Sequence, residues 1–323
     1  MENQPVLDTI DPELVERLAV RRAEIERGSL PSKGVIAALA LGSVPIALAA
    51  LSKDLYAQGI PTAIKNVLDF ALALEIFENE FYKAVLGMSS STAQNSAFAS
   101  VRASAALVPG AATTLGQIQK HEVAHVATLT ALGATNVFSL DANSFDFTGN
   151  RSATGGGPFA KATTDLAFLL QVAQAAEDTG VRAYKGQAAN LMSSPAILEG
   201  ALRIHSVEAR HASRIRRIRR IAAGAPATVR YSGTVRGGEL AAAGGTDLGT
   251  NPTAVTNAFN KIYGAGATAS SAPSESNTTH AGIDVNALGL SFGIEAAQEA
   301  FDEPLDRGDV IAIVQPFFIP NIA

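Results

Sequence analysis

The chain has 323 residues, a formal net charge of -5 and no cysteine. That length allows one large domain with extensions or two small ones, the charge argues against a nucleic-acid partner, and the missing thiols exclude disulfides, thiolate metal sites and cysteine nucleophiles. Apolar residues make up 47% of the sequence but aromatics only 6%, with no tryptophan, so Ala, Leu, Val and Ile must fill the core, which suits closely packed helices.

Residues 1–56 read as a separate N-terminal segment. Asp11-Pro12 starts a short helix over about 13–27. Gly34 to Leu51 then run for 18 positions without a charge. With Arg21-Arg22 upstream and the small residues Ala47 and Ala49 for cleavage, this resembles a twin-arginine export signal, which implies the periplasm or cell envelope. Glu24 and Glu26 depart from that signal. The same run also reads as a buried helix of a cytoplasmic protein or as a membrane contact.

Residues 57–222 read as a four-helix bundle. Pro61 opens a helix over about 61–87 that is apolar nearly all round and therefore buried. A long connection follows at 88–110, with a short helix expected near Phe98 to Leu107. The second helix runs from about Ala111 to Leu132, and a long crossover fills 134–157. The third spans about Pro158 to Leu191, and Ser194-Pro195 opens the fourth, which reaches Ala222. Residues 223–323 read as an irregular extension, with a weak strand at 228–236 and short helices near 252–263, 286–301 and 308–315. Its expected role is a cover over one side of the bundle or an oligomer contact.

The chemistry lies in a pattern that occurs twice. Glu75 and Tyr82 are seven residues apart, and Glu122 and His125 follow; Glu177 and Tyr184 are seven apart, and Glu208 and His211 follow. Seven residues are two helical turns, roughly 10.5 Å, so each Glu and Tyr share a face. A spacing of three places Glu and His on neighbouring turns. Four such faces turned inward converge four carboxylates and two imidazoles, a set suited to two Fe or Mn ions. Buried carboxylates are costly unless they are paired or bind metal.

Several neighbours compete for roles. Glu78 can face the same side as Tyr82, but only Glu75 repeats the Glu177-to-Tyr184 interval. Glu78, His121 and His205 are therefore placed beside the ligands rather than among them. Asp178 sits about 100° from the Glu177 face, at the surface or beside the ligands. His121-Glu122-Val-Ala-His125 also matches the HExxH zinc-peptidase pattern, which leaves Glu75, Glu177, Glu208 and His211 unexplained. Arginines at 214–220 end the fourth helix, where the macrodipole favours a solvated cationic end; binding of DNA or anionic lipid is the alternative.

At these motifs residues 61–222 resemble the ferritin-like superfamily, and within it the ferritin-like domain family that includes desiccation-related proteins. The resemblance implies an all-α ferritin-like bundle with metal ligands Glu75, Glu122, His125, Glu177, Glu208 and His211. It sets Tyr82 and Tyr184 beside the metals as catalytic tyrosines. It also implies a ferroxidase or manganese-catalase-like activity on O2 or peroxide in oxidative-stress defence, and a homo-oligomer. Phe301 to Leu305 is similar to a recurring tail segment of bacterial relatives. One departure, the 47 residues from Glu75 to Glu122 against 31 from Glu177 to Glu208, argues against a storage shell, and the long C-terminal extension is a second. A structural or envelope assembly protein that keeps the bundle is the reading from another class.

Overall fold

A computed structural model describes residues 59–152, 155–222, 251–263, 274–288 and 294–323. The helix expected at 13–27, the apolar run at 34–51 and the strand at 228–236 lie outside those residues. Among the described residues no helix is long and apolar enough to cross a membrane.

Helix α1, Thr62–Leu86, follows Pro61 and ends at Gly87, whose φ of 77° lets the chain leave in the left-handed region. The N–H groups of Gly87 and Met88 return to the carbonyls of Ala84 and Lys83 at 3.1 and 2.7 Å. The connection holds two short helices, α2 Thr92–Ala97 and α3 Ala99–Ala106, where one was expected. Arg102 of α3 donates to the carbonyls of Val85 and Asn95 at 3.2 and 3.1 Å, so it closes the C-terminal end of α1. Helix α4 is Ala111–Ala131.

Helix α5, Leu166–Gln187, starts later than the sequence suggests. Asp165 accepts the Phe168 N–H at 2.9 Å and sets the start there. The residues expected to extend the helix form 3-10 turns instead, Ala160–Thr163 before it and Ala188–Leu191 after it. Helix α6 is Pro195–Ala222. The main packing is α1 on α4 and α5 on α6, two hairpins joined by the crossover. The domain is helical, with a four-helix bundle at its centre.

The extension covers α5. It contains α7 Pro252–Tyr263, the two-residue strands β1 Thr279–His280 and β2 Ile283–Asp284 paired antiparallel, α8 Ile294–Ala300 and α9 Arg307–Val314. Helices α7 and α9 pack on each other and on α5. The bundle and the extension share one core. Phe77 of α1 meets Phe145 and Phe147 of the crossover at ring distances of 5.7 and 5.9 Å, and Phe317 and Phe318 of the tail at 5.7 and 5.4 Å. The crossover and tail backbones also pair there, Asp146 N–H to the Phe317 carbonyl and Ile319 N–H to the Ser144 carbonyl, both at 2.9 Å.

Two expectations about charge fail in the same place. Arg219 is buried and donates to Gln174 Oε1 at 2.6 Å, and Arg216 donates to Asp178 Oδ1 at 2.6 Å. The end of α6 is therefore not a wholly solvated cationic patch. Asp178 is 1% exposed and also accepts from the Tyr263 hydroxyl at 2.9 Å, so it is neither a surface acid nor one of the groups around the cluster. The reason is helix register: 174 and 178 form a stripe of spacing four on α5, facing 216 and 219 at spacing three on α6.

Candidate metal centre

Each bundle helix supplies its side chains from the face the spacing predicts. Helix α1 brings Glu75, Glu78 and Tyr82; α4 brings Glu122 and His125; α5 brings Glu177 and Tyr184; α6 brings Glu208 and His211. All nine are buried. Three carboxylate oxygens converge on each imidazole. His125 Nδ1 lies 3.1 Å from Glu75 Oε2, 3.0 Å from Glu122 Oε2 and 2.8 Å from Glu208 Oε1. His211 Nδ1 lies 3.0 Å from Glu122 Oε1, 3.1 Å from Glu177 Oε2 and 3.4 Å from Glu208 Oε2. One ring nitrogen has one proton to give, so it cannot satisfy three acceptors. Glu122 Oε1 and both oxygens of Glu208 are left without a hydrogen bond. Buried acceptors of this kind call for another cation.

The donors separate into two groups of four: Glu75, Glu122, His125 and Glu208, and Glu122, Glu177, Glu208 and His211. Within each, one atom per residue lies within 4.8 Å of the others, close enough to hold one ion. Glu122 and Glu208 belong to both. The donor set is oxygen-rich with one imidazole per group, which suits Fe or Mn.

The tyrosines cross between the halves. The Tyr184 hydroxyl donates to Glu75 Oε1 at 2.5 Å, and the Tyr82 hydroxyl donates to Glu177 Oε1. Burial, then these carboxylates, push both phenols well above their usual range, so both keep the proton they donate. Burial lifts Glu75 to about 8 against the pull of His125, and lifts Glu177 against that of His211. Burial opposes charge on the imidazoles too, but Glu75 and Glu208 hold His125 well above its usual range, and Glu177, Glu122 and Glu208 push His211 up to about 12. Glu208 goes the other way, held well below its usual range by both imidazoles in spite of burial.

The residues placed beside the ligands divide. His121 Nδ1 faces His211 Nε2 at 2.9 Å, with the rings stacked at 10° and 5.1 Å. It lies in neither group with His125, so the HExxH segment does not form a two-histidine zinc site. Burial and then His211 lower the His121 pKa, which favours a neutral ring that accepts from His211 Nε2 and leaves His211 Nδ1 toward the carboxylates. His205 does not reach the cluster; its Nδ1 meets the Val181 carbonyl at 3.0 Å. The matching position of the first half is Gln119, which donates to Asn79 at 3.0 Å. Glu78 lies within the cluster but in neither group, and burial, then Glu208 and Glu177, raise it well above the usual range.

Residues missed at the sequence level are those that brace α5 from outside, above all Arg182, which is fully buried. An arginine three residues before Lys185 carries no signal alone; its contrast with Glu80, at the matching place in α1, does. Residues 64–220, spanning all four bundle helices, match the family described as ferritin-like domain. No curated protein and no solved structure gives a significant match.

Proposed function

We propose, on the premise that residues 64–220 form a ferritin-like domain, that this domain holds two ions of iron or manganese and uses them in metal oxidation or peroxide defence. The observation that carries this reading is the pair of four-donor groups sharing Glu122 and Glu208. One ion takes Glu75 and His125 as its own ligands, and the other takes Glu177 and His211. Two such ions supply a two-electron step to O2 or peroxide. The four carboxylates bring about four negative charges, which two divalent ions neutralise. Tyr82 and Tyr184 orient the unshared carboxylates through their hydroxyls, and His121 fixes the tautomer of His211. Surrounding side chains keep the ligand carboxylates out of water, which strengthens every charge interaction among them.

Metal-free protein titrated with Fe(II) and Mn(II) should take up two ions per chain, located by anomalous scattering at the two groups. Glu122→Ala and Glu208→Ala should each weaken both ions, by about 100-fold or more since outer partners alone are worth 10–100-fold. Oxygen uptake with Fe(II), or peroxide disproportionation with Mn(II), then separates the two activities. Protein that stays metal-free after both additions supports instead a bundle used for assembly.

A further inference from the structure

The repeat relating the two halves is broken at one buried position. Shifting α1 by 102 residues places Glu75 on Glu177 and Tyr82 on Tyr184, and it places Glu78 on Gly180. Glu78 is 4% exposed. A Cβ built on Gly180 would stand 3.4 Å from Glu78 Oε1 and 3.8 Å from Glu208 Oε2. The Glu78 carboxylate therefore lies against the backbone of α5 at 180, in the room that a side chain longer than alanine would take, next to a shared ligand. Gly180 lies in the interior of α5, where glycine is a poor helix former. Its backbone is not in the left-handed region, so conformation does not require glycine there; a methyl at 180 would touch Glu78 at ordinary contact distance, and a longer side chain would enter the room the carboxylate fills.

Among the described residues no hydrogen bond or ion pair reaches Glu78, and it belongs to neither four-donor group. Its carboxyl instead faces the carboxylates of Glu208, Glu177, Glu122 and Glu75, and acidic groups gathered in one buried place repel one another unless a cation joins them. The carboxylate has crossed from α1 to the turn of α5 that follows Glu177. Of its acidic neighbours Glu208 and Glu177 act on it more strongly than Glu122 and Glu75. Tyr82, one turn farther along α1, reaches the same Glu177.

We infer that Glu78 is a fifth carboxylate serving the ion of the Glu177–His211 half alone, so that the two metal positions, alike in their ligands, differ in charge and affinity; this rests on the binuclear reading above. The Glu177–His211 position has three carboxylate ligands and Glu78 beside them. The Glu75–His125 position has three and, where Glu78 would have a counterpart, the bare backbone of Gly180. The first position should bind a divalent ion more tightly.

The test isolates one position at a time in the full chain. Glu75→Ala leaves the Glu177–His211 position, and Glu177→Ala leaves the other. Each variant is titrated with Mn(II) by calorimetry, with and without Glu78→Gln, which keeps the shape and removes the charge. Glu78→Gln should weaken Mn(II) binding about tenfold or more in the Glu75→Ala background and less than about twofold in the Glu177→Ala background. Circular dichroism confirms that each variant is folded. An equal effect in both backgrounds, or none in either, overturns the inference while leaving the binuclear reading intact. A parent chain that binds no Mn(II) or Fe(II) overturns both.

Discussion

The two hairpins of the bundle are alike where they face each other and unlike where they face away. Inside, the 102-residue shift matches Glu75 with Glu177 and Tyr82 with Tyr184. Outside, the same shift matches Glu80 with Arg182, Lys83 with Lys185 and Ala84 with Gly186. On α1 the charges settle locally, with Lys83 on Glu80 at 2.7 Å. On α5 they hold the extension. Arg182 Nε donates to the Glu303 carbonyl at 2.7 Å and lies 3.1 Å from Glu275 Oε1, and Glu275 in turn accepts the Glu303 N–H at 2.6 Å. Lys185 donates to the Asp302 carbonyl, and Leu305 N–H donates to the Arg182 carbonyl at 3.1 Å. A side chain at 186 would overlap the Leu305 carbonyl, so glycine is what lets Phe301 to Leu305 lie flat on the helix. Two differing positions on one face, 80 against 182 and 84 against 186, thus distinguish the helix that carries Phe301 to Leu305 from its counterpart, without disturbing the ligands on the opposite face.

Breaking this contrast should cost most at Arg182. Its removal breaks the buried pair with Glu275, which is expected to cost about 3–5 kcal/mol. Thermal unfolding in chelator should show a drop of roughly 4–8 °C for Arg182→Ala, and an unchanged midpoint would mean that the ion pair does not hold the extension. Gly186→Ala restores the residue of the first half and should cost about 1–3 kcal/mol through the clash with Leu305. Proteolysis should then cut the released extension before the bundle, whereas a resistant extension would show that the overlap relaxes freely. The matching change on the first half, Glu80→Ala, loses only a partly exposed pair and should cost less than about 1 kcal/mol.

Acidity sharpens the likeness instead. Folding raises Glu75 from 4.5 to about 8 and His211 from 6.5 to about 12. Both groups bind a proton more tightly in the folded chain, so each contributes stability that is full below its unfolded value and fades as pH rises through its folded value. For Glu75 the loss runs from about pH 4.5 to 8. Metal-free protein should therefore melt lower at pH 8 than at pH 6, by at most about 1.4 kcal/mol per pH unit for each group. Metal-loaded protein should show the opposite trend, because binding displaces those protons. A metal-free midpoint that rises with pH across this range would contradict the proton placement.

What was legible in the sequence follows the same division. Intervals of three and seven are helical periods, so Glu75, Glu122, His125, Glu177, Glu208 and His211 declared a common face before any tertiary contact was known. The tyrosines shared that face, but their crossing to the opposite half is a tertiary fact. Asp178, Arg216 and Tyr263 lie far apart in the chain, and no local period links them. Arginines at the end of α6 looked solvated because a helix end rich in charge normally is, and only the register against α5 turns Arg216 and Arg219 inward. Comparing the halves position by position would have exposed Glu78 against Gly180 and Ala84 against Gly186, since each pair sets a side chain against a missing or smaller one at the same place in a repeat.

The aromatic junction of Phe77, Phe145 and Phe318 has a consequence for how the chain is made. Phe318 is fully buried and Phe77 nearly so, yet 241 residues separate them in the sequence. At a synthesis rate of 5–20 residues per second, a ribosome delivers the second about 10 to 50 s after the first. Until then α1 and the crossover hold an apolar surface with no lid, and contacts between such distant residues form slowly even once both are present. The junction therefore closes only after Phe317 and Phe318 have been made, long after the bundle helices that it seals.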